Sequence, residues 1–191
     1  MAVRIEKRLT FIHVGKNGGT SITRLLDANF KTEHSKFKHD SYDELPESWK
    51  DNVFCVIRNP YDRLLSLYNF SIKKYEKRKM SERLDVLKKG FKNFVNNEHD
   101  KKWYGEIGGW EKLTQSRQLP SDKSKIEILR LENLEHDWRS LCDKYDLTYH
   151  PIGRENSTRD DNSYRQQYDS SMILTVNEKW AEDIALGEYE F

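Results

Sequence analysis

The sequence predicts an α/β domain with a small parallel sheet flanked by helices, and three observations carry that expectation. Apolar runs of strand length occur at 10–14, 52–57 and 125–131, and each leads into apolar residues at helical spacing. The middle run, Asn-Val-Phe-Cys-Val-Ile, is continuous, as expected of a parallel strand covered on both faces. No internal repeat, low-complexity tract or linker interrupts the 191 residues, so a single domain over 1–191 is expected.

After the strand at 10–14, Ile22, Leu25, Leu26 and Phe30 recur with a helical period. Residues 31–52 are polar and irregular, with a short helix expected around 42–49. The second strand ends at Arg58-Asn59-Pro60, where proline suits the first turn of a helix. Tyr61, Leu64, Leu65, Tyr68, Ile72 and Tyr75 make that helix the clearest in the chain. A further helix is predicted over 82–97, with Leu84, Leu87, Phe91, Phe94 and Val95 inward and Gly90 weakening it. Residues 98–124 read as a long connection holding Trp103, Tyr104, Trp110 and Gln115. The third strand precedes a helix with Leu134, Trp138, Leu141, Cys142 and Tyr145 on one face. A polar loop at 150–163 follows, then a helix carrying Ile173, Val176, Trp180 and Ile184.

Composition narrows the function classes. Lys+Arg 33 against Asp+Glu 32 leaves a formal charge of +1, so no global field favours nucleic acid or a membrane as partner. The balance is uneven, with a basic excess at 71–102 that reads either as a solvated helix face or as a surface toward an anionic substrate. Cys55 and Cys142 lie in apolar patterns and read as small hydrophobes. Two cysteines supply neither metal-ligand spacing nor a disulfide framework, which suits a reducing compartment. The N-terminal residues hold no apolar signal run, and nothing approaches the ~18 apolar residues of a membrane helix. A cytoplasmic protein is expected.

Chemistry concentrates in the loop Gly15-Lys16-Asn17-Gly18-Gly19-Thr20-Ser21. Glycines let backbone N–H groups approach a ligand, and the helix beginning near Gly19 directs its positive end at the loop. Lys16 adds a cation, and Thr20 and Ser21 add hydroxyl donors. This is an anion cradle. It breaks the Walker A pattern, because Lys16 precedes Gly18 and Gly19, and no strand-ending magnesium aspartate follows. A nucleoside triphosphatase is therefore disfavoured. In a parallel sheet, ligands bind beyond the carboxyl ends of the strands, so the loop and Arg58 are expected to share one edge. Arg58 offers a planar fork suited to a phosphate, with Ser66 on the following helix as a second donor. An ion pair of Arg58 with Asp62 is the structural alternative.

The two motifs resemble those of sulfotransferases that use 3′-phosphoadenosine 5′-phosphosulfate (PAPS). Lys16-Asn17-Gly18-Gly19-Thr20-Ser21 is similar to the family's 5′-phosphosulfate loop, with Gly15 where proline is usual. Val56-Ile57-Arg58-Asn59-Pro60-Tyr61-Asp62-Arg63, with Ser66 and Tyr68, is similar to its 3′-phosphate motif. Gln115-Ser116 resembles a Q-S element of the carbohydrate branch. Asn156-Ser157-Thr158 through Tyr164, Tyr168 and Asp169 resembles a late loop of the family.

The resemblance implies a P-loop nucleotide-hydrolase-like (sulfotransferase) fold and transfer of a sulfuryl group from PAPS to an acceptor hydroxyl or amine. A carbohydrate is one such acceptor, and 3′,5′-adenosine bisphosphate is the product. It assigns Lys16 to the leaving phosphate, and Asn17, Gly18, Gly19, Thr20 and Ser21 to the 5′-phosphate. Arg58 and Ser66 fall to the 3′-phosphate, and Asn156 and Ser157, with Arg154, to a flap over the nucleotide. No metal is needed, since fixed donors and cations stabilise the charge. His39 is the candidate general base, with Asp40 and Glu44 as rivals. Gln115 is read as a contact to the nucleotide or the acceptor. Two other classes stay open: a small-molecule kinase using a nucleoside triphosphate, and a non-catalytic anion- or glycan-binding module.

Overall fold

The computed structural model describes residues 2–36, 40–96, 114–153 and 164–191. They fall into two compact units, Met1–Arg58 with Gln115–Ser157, and Asn59–Thr114 with Thr158–Phe191.

The first unit is built on a five-stranded sheet. Its strands are β1 (Ala2–Ile5), β2 (Leu9–Ile12), β3 (Thr32–His34), β4 (Val53–Ile57) and β5 (Glu127–Arg130), in the order β3-β1-β2-β4-β5. The expected parallel core is present as β2, β4 and β5. Two unexpected strands extend it: β1 runs antiparallel to β2, and β3 antiparallel to β1, so the sheet is mixed. The β1–β2 connection hides from pattern reading because its turn lacks the usual residues. Glu6 and Lys7 both take left-handed backbone, φ 50° and 55°, where Asn and Gly are favoured. Arg8 N–H closes the turn onto Ile5 O at 2.9 Å, and the Arg4 guanidinium braces it by donating to Lys7 O at 2.7 Å.

Register decides which side chains meet. Val3 opposes Phe11, Phe11 opposes Phe54, and Val56 opposes Leu129, so all of them share one sheet face. Helices α1 (Gly19–Asn29) and α5 (Leu134–Lys144) cover that face with Ile22, Leu25, Leu26, Trp138, Leu141 and Cys142. Phe54 stacks between Phe11 and Trp138, with centroids 5.0 and 5.9 Å away. The opposite face, with Ile12, Cys55 and Ile57, is equally buried, as the continuous run at 52–57 implies. Burial pushes the Cys55 thiol up to about 12 and the Cys142 thiol up to about 11, so both stay protonated and act as apolar filler.

The second unit is helical: α2 (Pro60–Lys77), α3 (Ser81–Leu87), α4 (Phe91–Asn96), α6 (Ser170–Lys179) and α7 (Ala181–Gly187). The helix expected over 82–97 is two helices. Gly90 separates α3 from α4 at φ 100°, a left-handed backbone that a continuous helix cannot hold. Tyr61, Leu64, Leu65, Tyr75, Phe94, Val176 and Trp180 form the core of this unit. Tyr61 lies at its centre, 4.9 Å from the Phe191 ring and 5.4 Å from Tyr168. No described helix of either unit is long and apolar enough to cross a membrane.

Candidate functional site

The connection from β2 to α1 carries its special geometry in the backbone. Lys16 and Gly18 both have left-handed φ, 71° and 73°, and Gly18 is the N-cap of α1. A β-carbon at Gly18 would lie 2.9 Å from Leu131 Cδ1. At Gly19 it would lie 2.2 Å from the His13 ring, so the imidazole fills the space a side chain would need. His13 is buried and acts as a floor under the helix start.

The opening of α1 fits an external anion. Its cap residue contributes no side chain, its first turn contains no acidic residue, and the Gly19 and Thr20 N–H groups have no intrahelical acceptor, while Ser21 N–H turns back to Gly18 O at 3.0 Å. Thr20 is exposed there, and Lys16 and Ser21 are half-buried. The donor chemistry of these residues fits the phosphates of a nucleotide such as PAPS.

Arg58 stands immediately past β4, with its guanidinium Nη1 donating to Lys16 O at 3.2 Å. Arg58 therefore meets the loop within one unit, at the carboxyl ends of neighbouring strands. Asn17 turns inward, 1% exposed, and its Nδ2 donates to Val56 O at 2.7 Å and to Gln115 Oε1 at 2.6 Å. Its Oδ1 is buried with no hydrogen-bond partner among the described residues. Gln115, 0% exposed, also accepts from Arg58 N–H and donates to Arg58 O, both at 2.8 Å. The sequence reads this glutamine as a contact to the nucleotide or the acceptor; in the structure its side chain bonds the protein's own loop and strand end, and no local signal in the sequence points to those partners.

Four further residues of the Arg58–Tyr68 segment serve the fold. Asn59 caps α2 by accepting from Tyr61 N–H at 3.0 Å, and its Nδ2 donates to Tyr164 Oη and Glu190 O, both at 3.3 Å. Pro60 occupies the first helical position. Tyr61 is a core residue, and Tyr68 donates to Leu87 O at 3.1 Å. Ser66 is half-buried in the second turn of α2, in the second unit.

His39, Arg154, Asn156 and Ser157, with Trp103, Tyr104 and Trp110, lie outside the described residues. Of the rivals to His39, Asp40 is buried. The Glu44 carboxylate is tied into a capping box, accepting from Ser41 N–H at 2.7 Å and Ser41 Oγ at 2.8 Å. Among the described residues no group of three or more His, Cys, Asp or Glu side chains is arranged to hold a metal ion.

A cleft of about 270 Å³ runs beside α1, lined by Ser21, Arg24, Leu25, Ala28 and Asn29 on the helix and by Pro151 and Gly153. It adjoins the loop through Ser21.

Comparison with known proteins gives one match. A model of the sulfotransferase family matches residues 1–189, nearly the whole chain. No curated protein and no solved structure matches it. The mixed sheet with a phosphate-type loop after β2 agrees with that match. Sulfuryl transfer is the general reaction of such enzymes, and this chain belongs to the sulfotransferase family.

Proposed function

We propose that the protein is a single sulfotransferase domain over residues 1–191 that moves a sulfuryl group from PAPS to an acceptor hydroxyl or amine in the cytoplasm. A carbohydrate hydroxyl is the acceptor the resemblance favours. The observation that carries this reading is the meeting of Lys16 and Arg58: a cation-bearing loop at a helix N-terminus is bonded directly to a second cation at the next strand end. A ligand with anions at two separated positions suits that pair better than a single phosphate does.

Bound there, the donor supplies an activated sulfuryl group on a phosphate leaving group. The N–H groups from Gly18 to Thr20 and the Thr20 and Ser21 hydroxyls hold the 5′-phosphate, the Ser21 N–H being taken by Gly18 O. Asn17 contributes through its backbone, since its side chain is turned inward. The Lys16 ammonium neutralises the charge that grows on the leaving oxygen, a fixed electrostatic contribution in need of no reorganisation. The family resemblance gives Arg58 and Ser66 to the 3′-phosphate and Asn156 and Ser157 to the nucleotide. His39 accepts the proton of the acceptor hydroxyl as the new S–O bond forms. Engagement of Glu44 in its capping box leaves it the weaker rival for that role.

The direct test is transfer of radiolabelled sulfate from PAPS to a panel of sugars, phenols and amines. The expected result is labelled product with at least one acceptor, without added metal, reduced at least 100-fold in Lys16→Ala, in line with loss of a preorganised charge contact. Transfer of phosphate from ATP with magnesium, and none of sulfate, would overturn the reading.

A further inference from the structure

We propose that Gln115 is a positioning residue that locks Arg58 to the 15–21 loop and thereby sets the selectivity for a nucleotide phosphorylated at both ends. The inference rests on the function proposed above and adds to it a residue that acts through Arg58 and Asn17.

The geometry is a splice. β4 ends at Ile57, whose partner across the sheet is Arg130. One residue further on, the side-chain amide of Gln115 replaces a neighbouring strand. Its Oε1 accepts from Arg58 N–H and its Nε2 donates to Arg58 O, each at 2.8 Å. The same Oε1 accepts from Asn17 Nδ2, whose other N–H reaches Val56 O. Arg58 Nη1 completes the link by donating to Lys16 O. Loop and strand end are thus joined three times, by Gln115–Asn17, Asn17–Val56 and Arg58–Lys16. The amide orientations are dictated by chemistry: Arg58 N–H can only donate, and Val56 O and Arg58 O can only accept.

This arrangement needs a neutral amide. A carboxylate at 115 would keep the acceptor for Arg58 N–H and Asn17, but its second oxygen would face Arg58 O without a proton. A protonated carboxyl would restore that donor. Burial raises the pKa of a carboxyl, so Gln115→Glu should be a pH-dependent reporter of the Arg58 link alone. The Asn17 link to the loop survives in either protonation state.

The test is calorimetric binding of adenosine 3′,5′-bisphosphate and adenosine 5′-monophosphate to wild type and Gln115→Glu. It is run between about pH 5 and about pH 8, across the range in which a buried carboxyl titrates, with thermal melts alongside. Relative to wild type at each pH, Gln115→Glu should retain most of the preference for the bisphosphate at the acid end. At the alkaline end it should lose about tenfold of it, the size of one charge-oriented contact. Monophosphate affinity should change by less than about threefold, well under that contact. Gln115→Asn, whose amide is withdrawn by one methylene and does not titrate, should lose the preference at every pH.

Equal weakening of both nucleotides at all pH values would make Gln115 a fold residue and overturn the proposal. So would an unchanged preference in Gln115→Asn, the variant that decides if Gln115→Glu does not fold at the alkaline end. Wild type with no preference for the bisphosphate would instead overturn the functional reading beneath it.

Discussion

The loop at 15–21 and the segment at 58–68 follow neighbouring strands and are equally conspicuous as motifs, yet their residues are used in opposite ways. In the loop the backbone is committed: Lys16 and Gly18 are left-handed, Gly19 lies against His13, and a buried Asn17 acceptor has no partner among the described residues. An unsatisfied buried acceptor and a left-handed lysine each cost on the order of 1–3 kcal/mol, and such costs collect where function demands a shape. In the second segment four of the letters serve the fold. Asn59 is a cap, Pro60 a first-turn residue, and Tyr61 and Tyr68 are core residues satisfied by Asn177 and Leu87. Arg58 reaches back to the loop. A motif match therefore locates a site without saying which of its residues touch a ligand.

That contrast can be broken by substitution. The largest effect on stability is expected at Tyr61→Ala, which empties the centre of an aromatic cluster. A loss of about 3–5 kcal/mol in urea denaturation is expected, with nucleotide affinity of the folded protein nearly unchanged. Gly19→Ala should show the reverse emphasis. Its β-carbon collides with His13, so about 1–3 kcal/mol of stability is lost together with most nucleotide binding. Adding His13→Ala should recover a measurable part of both, a coupling that a double-mutant cycle reads.

A smaller, pH-resolved effect is expected at Asp169, the N-cap of α6. The Lys92 ammonium, the Ser171 hydroxyl and the Met172 N–H hold the Asp169 carboxyl well below the usual carboxylate range. A depressed folded pKa contributes stability that is fully present above the unfolded value, about 4, and is lost as pH falls below it. Asp169→Asn should therefore flatten the fall of the melting temperature below about pH 4, since the titrating group is gone. The smallest effect is expected at the β1–β2 turn. Lys7→Gly, which relieves a left-handed residue, should stabilise the protein by about 0.5–1 kcal/mol.

These regions also show why legibility in the sequence was uneven. The parallel strands were readable because continuous apolar runs have few other uses, and α2 because six apolar residues kept its period. β1 was not, because Glu6 and Lys7 do not announce a hairpin. Nor was β3, whose Thr-Glu-His is polar throughout, as a short exposed edge strand can be. The break between α3 and α4 rests on the left-handed backbone of Gly90, which composition alone reports only as a weakness. The tight turn at Lys16, Gly18 and Gly19 and the place of Arg58 at the next strand end were legible because their pattern is local. Gln115 was not, because its partners are Asn17, 98 residues away, and the backbone of Arg58, 57 residues away.

The central claim is that the loop and Arg58 read two anions of one nucleotide. Calorimetric titration with adenosine 3′,5′-bisphosphate and with ADP, both without magnesium, tests it most directly. The expected result is at least tenfold tighter binding of the bisphosphate, about 1.4 kcal/mol, with that margin lost in Arg58→Ala. Equal affinity for the two nucleotides, or a preference that survives Arg58→Ala, would contradict it.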